Sequence, residues 1–115
     1  MDPCLIHNSD GHIITANTSM VQAFGYSSKE LRQLNASHLS SDDKKARAVS
    51  KSAFDDVVSK GSSRFEIRLK RKAGETFPDE GTSQVISIKG EDLVLSVIRD
   101  LSEQYRLREE EKNTQ

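Results

Sequence analysis

The chain has few of the residues that mark secreted, membrane or nucleic-acid-binding proteins. It has no tryptophan and a single cysteine, Cys4, among 115 residues. No disulfide can therefore form within the chain, and we expect a cytoplasmic location. No apolar run approaches the roughly 20 residues of a membrane-spanning helix, so no membrane contact is expected within this segment. The net charge is −1, which lacks the basic excess typical of nucleic-acid binding, and no nucleic-acid partner is expected.

Sequence motifs of catalysis are missing too. There is no glycine-rich phosphate loop and no nucleophile motif of a hydrolase. Asp79 and Glu80 are adjacent on a predicted strand, so they point to opposite faces and cannot act as a carboxylate pair. His7 and His12 flank a predicted hairpin but have no clear carboxylate or thiol partner, and we interpret them as surface residues of strands. The sequence predicts neither an enzyme nor a metal centre.

What the sequence does contain is a series of well-marked short elements. The segment CLIHNSDGHIITAN predicts a hairpin that turns at Asp10-Gly11. Asn17 suits the N-cap of a first helix that ends at Gly25. Residues 27–30, Ser-Ser-Lys-Glu, form a capping box that predicts a second short helix from Ser27, with Leu31 and Leu34 buried.

The longest helix is predicted over residues 42–60. Asp42 and Asp43 would lie in its first turn, where the helix dipole favours acidic side chains. Its apolar residues recur at helical spacing, which predicts one buried face. These residues are Ala46, Val49, Ala53, Phe54, Val57 and Val58.

The second half of the chain predicts three strands and a terminal helix. RFEIRLKR (64–71) alternates cleanly, TFPDEGTSQVISI (76–88) is a poorer strand, and LVLSVI (93–98) is apolar enough for a central strand. From Leu101 to about Lys112 the chain is charged and helix-prone. This order indicates an α+β fold with a five-stranded antiparallel sheet and helices packed on one face.

Several segments resemble PAS domains in the same order. They are NSDGHIITAN with FGYSSKEL, then RFEIRLKRKAGETFP, then LSVIRDLSEQ. In the last of these, Asp100-Leu101-Ser102 resembles the D-I-T signature at the exit of the final strand. The resemblance covers roughly residues 4–104. It divides the chain into a PAS domain, 1–104, and the start of a C-terminal signalling or linker helix, 105–115.

The resemblance implies a sensor or relay module inside a larger signalling protein, of the histidine kinase, chemotaxis transducer or diguanylate cyclase type. It implies a small ligand between the long helix and the sheet, and an effector domain in the same chain. It also implies a homodimer formed through the PAS domain or the C-terminal helix. The alternative is a ligand-free dimerisation or protein-interaction module with a filled core, since this fold hosts many functions.

Apolar periodicity and the family's pocket position together predict which residues line a ligand site. The candidates are Met20, Phe24, Leu39, Val49, Phe54, Val57, Ile67, Asp79, Val85 and Val97. The predicted signal exit consists of Asp100, Leu101 and Ser102.

Two cofactors of the family are argued against by the residues at the matching positions. In light-oxygen-voltage domains a reactive cysteine follows the second helix, and here that position is Ala36, which has no nucleophile. Cys4 lies on another element. Haem-binding PAS domains use a histidine of the long helix, and residues 42–60 contain none. His38 precedes that helix, and we interpret it as a polar loop residue.

The segment Phe77-Pro78-Asp79-Glu80-Gly81 departs from the family's pattern, in which apolar residues flank the acid. One interpretation makes Asp79 part of a polar pocket wall, with Gly81 leaving space for a ligand. The other, which we favour on the sequence, is a bulge or an edge strand bent by Pro78, with Asp79 exposed.

Overall fold

The structure, a computed structural model, describes residues 1–113 and contains one five-stranded antiparallel sheet. The strands are β1 (Cys4–His7), β2 (Ile13–Ala16), β3 (Ser62–Lys70), β4 (Thr76–Ile88) and β5 (Glu91–Asp100). Their order across the sheet is β2-β1-β5-β4-β3, and every neighbouring pair is antiparallel. The predicted α+β fold and its five-stranded sheet are therefore confirmed.

The helices lie between β2 and β3 and after β5. They are α1 (Thr18–Phe24), α2 (Ser28–Leu31), a 3₁₀ helix (Ala36–Leu39), α3 (Lys44–Lys60) and α4 (Ser102–Asn113). The predicted terminal helix is thus present from residue 102, and residues 114 and 115 of the predicted tail lie outside the described residues. None of the helices within residues 1–113 is long and apolar enough to cross a bilayer.

Local capping chemistry sets the helix starts. The Asn17 side chain accepts the Met20 N–H at 3.0 Å, and Ser27 and Glu30 form both bonds of the predicted capping box. Asp43 is the N-cap of α3, not a residue of its first turn, because its carboxylate accepts the Ala46 N–H. The α2 helix ends at Leu31, which is buried as predicted, whereas Leu34 lies beyond the helix and is only half-buried.

Strand alternation places the core on the face of the sheet that α1 and α3 cover. This face carries Leu5, Ile67, Leu69, Phe77 and Ile98, all of them buried. Opposite them, α3 buries only part of its predicted apolar face. Ala46, Ala53 and Val57 are buried, whereas Val58 is 66% exposed because it lies off that stripe.

The β4 strand is neither an edge strand nor a bulged one, so the interpretation favoured on the sequence is wrong. It pairs with β3 and β5 without a register shift, and Asp79 is only 1% exposed. Pro78 is tolerated because the polar groups of one residue in an antiparallel strand point to the same side. Its carbonyl accepts the Leu101 N–H at 2.9 Å. The side of Pro78 that lacks an N–H therefore faces the end of β5, and the β3–β4 ladder loses no hydrogen bond.

Candidate functional site

A cavity of about 560 Å³ lies between α3 and the inner face of the sheet. Strands β1, β3, β4 and β5 form its floor, and α3 with the 3₁₀ helix forms its wall. A volume of this size falls in the range of small-molecule sites, which are mostly apolar with a few polar groups. Regular elements form most of the boundary of this site, and the loop residues Asp10, Gly11 and Asn35 border it.

The cavity lining includes six of the ten residues predicted from the sequence. These are Leu39, Phe54, Val57, Ile67, Asp79 and Val97. Strand alternation places the Val97 side chain on the face opposite that of Ser96 and Ile98, so its contribution to the lining is from the main chain. Contact between these residues and a ligand remains a prediction.

The other four predicted residues do not line the cavity. Met20 and Phe24 are fully packed in the core, where the Phe24 ring meets Phe77 edge-on at a centroid distance of 5.6 Å. Val49 packs against the core cluster, because the cavity-facing stripe of α3 runs through residues 47, 50, 51, 53, 54 and 57. Val85 is 37% exposed, because α3 has already ended at Lys60.

Asp79 supplies a buried carboxylate to the cavity. Its Oδ1 accepts the Arg99 main-chain N–H at 2.9 Å, and its Oδ2 accepts no hydrogen bond from any described residue. Within residues 1–112 no fully enclosed polar side-chain atom lacks a partner, so Oδ2 must reach the cavity space. Burial raises the pKa of Asp79 to about 7, against the opposing effect of the Arg99 N–H. The group therefore changes charge near neutral pH.

Gly81 makes room for an aromatic ring beside this carboxylate. A Cβ at Gly81 would lie 2.7 Å from the Phe65 ring and 3.2 Å from Asp79 Oδ2. One of the two interpretations of this segment left the space above Gly81 to a ligand, and the Phe65 ring fills that space. The result is an aromatic ring and an open carboxylate oxygen next to the same glycine.

His7 was interpreted as a surface residue, and that interpretation is wrong. It is 6% exposed and lines the cavity. Its Nδ1 lies 2.8 Å from the Asn8 carbonyl oxygen, and its ring stacks on Phe54 with centroids 6.4 Å apart. Burial lowers the pKa of His7, against the effect of the Asn8 carbonyl. Its position two residues after Leu5 in a short strand was the signal that could have revealed it.

The remaining polar residues of the cavity include serines, two exposed cations, and Asp10 and Asn35 at its rim. Ser83 and Ser96 lie on neighbouring strands, and their hydroxyls are 2.7 Å apart, so one donates a hydrogen bond to the other. Arg47 and Lys51 border the cavity from α3 and are exposed to solvent. Asp79 is therefore the acidic group that lines the cavity from a fully buried position.

The predicted exit residues join the sheet to α4. The Asp100 carboxylate accepts the Ser102 N–H at 2.8 Å and pairs with Arg71 at 3.1 Å. Partial burial alone would raise the pKa of Asp100, but the hydrogen bonds from Ser102 and Arg71 outweigh it and hold that pKa below its usual value. Leu101 is buried, and its N–H bonds to the Pro78 carbonyl. The start of α4 is thus fixed to both β4 and β5.

The cofactor chemistries considered above have no matching groups at this site. Cys4 alternates with the inward-facing Leu5, so its thiol lies on the outer face of the sheet. Ala36 borders the cavity but carries no reactive group. The His38 Nδ1 accepts the Asn35 N–H in a cap. Within residues 1–113 no three His, Cys, Asp or Glu side chains converge on a possible metal site.

A five-stranded antiparallel sheet with a cavity under one long helix places the chain in a class of small α+β domains. The family model of the PAS domain matches residues 1–103, so this chain belongs to the PAS domain family. PAS domains are sensory modules typical of signalling proteins and are generally not catalytic. No curated protein matches the chain.

Solved PAS domains superpose on this fold. A PAS domain from Colwellia psychrerythraea is 20% identical, with 89% of this chain and 87% of that chain covered and a TM-score of 0.78. A PAS domain from Desulfitobacterium hafniense is 26% identical, with coverages of 87% and 92% and a TM-score of 0.70. A domain of a sensory box sensor histidine kinase/response regulator from Geobacter sulfurreducens is 21% identical, with coverages of 86% and 82% and a TM-score of 0.69.

Proposed function

We propose that this PAS domain is the cytoplasmic sensor or relay module of a larger signalling protein, and that it binds a small molecule in the cavity under α3. The observation that carries the proposal is the cavity itself, which is mostly apolar but has an open oxygen of a buried carboxylate in its floor. A core built only for stability or dimerisation gains nothing from a buried acid without a full set of partners.

A short chain of contacts supports the proposed output through α4. Asp79 holds the Arg99 N–H, and the next residue, Asp100, caps α4 and pairs with Arg71. A ligand that pulls on the Asp79 carboxylate would therefore shift the last residues of β5 and the first turn of α4. A rigid strand-to-helix junction can convert such a shift into rotation of the helix.

We place the boundary of the sensor near residue 104 and assign residues 105–115 to the start of an output helix. The effector domain would follow in the same chain, of the histidine kinase, chemotaxis transducer or diguanylate cyclase type. The Geobacter sulfurreducens neighbour is described as part of such a kinase. A homodimer through the PAS domain or α4 would bring two output helices together.

Denaturing mass spectrometry of the purified domain, compared with native mass spectrometry, tests ligand binding directly. A small molecule released in stoichiometric amount on denaturation supports the proposal. Where none co-purifies, a metabolite library screened by thermal shift should contain a compound that raises the melting temperature and changes hydrogen exchange at the start of α4. A domain that no compound stabilises would favour the alternative, a ligand-free dimerisation or protein-interaction module.

A further inference from the structure

The Asp79 end of the cavity has the composition of an ammonium-binding site. Asp79 is 1% exposed, and only one of its carboxylate oxygens accepts a hydrogen bond within residues 1–112. The open oxygen reaches the cavity, since no fully enclosed side-chain oxygen there lacks a partner. A buried carboxylate in this state favours a ligand that brings both a donor and a positive charge.

The Phe65 ring is a second and independent observation at the same place. The ring and Asp79 Oδ2 both lie beside Gly81, within 2.7 and 3.2 Å of the point where a Cβ would stand. An alkylammonium group is attracted by an aromatic ring as well as by a carboxylate. The residues that continue the cavity from this point, Ile67 and Ile98, are apolar. They would contact an alkyl or aryl body attached to the nitrogen.

We propose that the ligand is a small primary amine with an apolar body, bound with its ammonium group between Asp79 and Phe65. This inference rests on the proposed function and specifies the chemical class of the ligand. A free carboxylate at this end would be repelled by Asp79. Arg47 and Lys51 also border the cavity, but both are exposed, and water and salt weaken their repulsion of an incoming cation.

Three probes of equal chain length test the ligand class, namely hexylamine, 1-hexanol and hexanoate. Each is titrated into the ¹⁵N-labelled full chain at pH 8, where Asp79 is ionised. Hexylamine should bind at least tenfold more tightly than 1-hexanol, and hexanoate should not bind. The amide signals of Gly81 and Arg99 should shift most, because both residues contact Asp79.

Asp79→Asn should remove the preference for the amine while leaving 1-hexanol binding unchanged. Glu80→Gln is the matched control, because it removes one negative charge at the adjacent residue, whose side chain lies on the other face of β4 and pairs with Arg64. The control should keep the wild-type preference. Phe65→Leu should weaken hexylamine by roughly three- to tenfold and leave 1-hexanol within twofold, which gives a second readout independent of Asp79.

The outcomes separate this inference from the proposed function. Equal binding of hexylamine and 1-hexanol in the wild type, or an amine preference that survives Asp79→Asn, overturns the amine class and leaves a ligand-binding cavity in place. An amine preference lost equally in Asp79→Asn and Glu80→Gln also overturns it, since surface charge alone would then explain the effect. Failure of all three probes at millimolar concentration counts against both the amine class and the cavity.

Discussion

The strongest test of the buried carboxylate is the pH dependence of stability in Asp79→Asn. In the folded protein the pKa of Asp79 is raised from 3.8 to about 7 by burial. Between these two values the unfolded chain has released the proton that the folded chain still holds. The contribution of this group to stability is therefore largest in acid, falls as pH rises, and becomes constant above the folded pKa.

A pKa shift of this size lowers the free energy of unfolding by about 4 kcal/mol in total as pH rises. About 3 kcal/mol of that loss occurs between pH 5 and pH 8. Both figures are upper limits, because water that enters the cavity can relax the ionised carboxylate. Asn is nearly isosteric with Asp and can still accept the Arg99 N–H through its side-chain carbonyl. The free energy of unfolding of the variant should therefore not fall in this way as pH rises, and the variant should be more stable than the wild type at pH 8.

Urea unfolding followed by circular dichroism at half-unit steps from pH 5 to pH 8.5 measures the effect. His7 titrates in the same window with the opposite sign. Its pKa is lowered by burial, so its contribution to stability is lost as pH falls below its ordinary value of 6.5. Both proteins keep His7, and the difference between their free energies of unfolding isolates Asp79. Glu80→Gln, on the opposite face, is the charge-matched control. A difference that stays constant across the window would refute a carboxylate pKa near 7.

The remaining predictions concern individual contacts in the core and at a helix cap, and all are measured as free energies of unfolding. Gly81→Ala should lower stability by about 1–3 kcal/mol, because the new methyl group must displace the Phe65 ring, and Phe65→Leu in the same chain should restore part of the loss. Arg71→Met should lower stability by about 1–2 kcal/mol. The Arg71 guanidinium lies 4.1 Å from the Phe77 centroid and donates a hydrogen bond to the Ala23 carbonyl. An unchanged free energy of unfolding would show that these contacts do not stabilise the fold. Asn17→Ala should lower stability by about 1–2 kcal/mol through loss of the α1 cap, with Asn17→Asp retaining most of it.

The features that the sequence predicted well depend on chemistry within a few residues. The Ser27 capping box and the Asn17 cap each need only a side chain and a main-chain N–H three residues away. The hairpin turn is equally local, although it is centred on Ser9-Asp10, one residue before the predicted pair: the Gly11 N–H donates to the Asn8 carbonyl, and Gly11 has the positive φ of 88° that favours glycine. The alternating strands followed from period-two patterns. Together these local signals were enough for the sheet, the helices and their order.

The features that were predicted wrongly depend on which elements meet in space. Met20 and Phe24 carry the same apolar signal as true cavity residues, and only the packing of α1 against Phe77 separates them. The signal for His7, its position two residues after Leu5, was weak because β1 has only four residues and its alternation is short. Periodicity identifies a buried face but does not say whether that face meets another side chain or an empty volume.

The segment Phe77–Gly81 shows why the favoured interpretation of β4 failed. Proline, aspartate and glycine each disfavour a strand interior, and together they predicted an irregular edge. In the structure each has its own non-local reason to be there. Pro78 sits where β5 ends, Gly81 accommodates the Phe65 ring, and Asp79 faces the cavity. Violations of local rules tend to collect at functional sites. Pairing and packing explain Pro78 and Gly81, whereas a buried carboxylate with one oxygen open to the cavity has no such explanation, so Asp79 is the residue of this segment that supports the proposed ligand site.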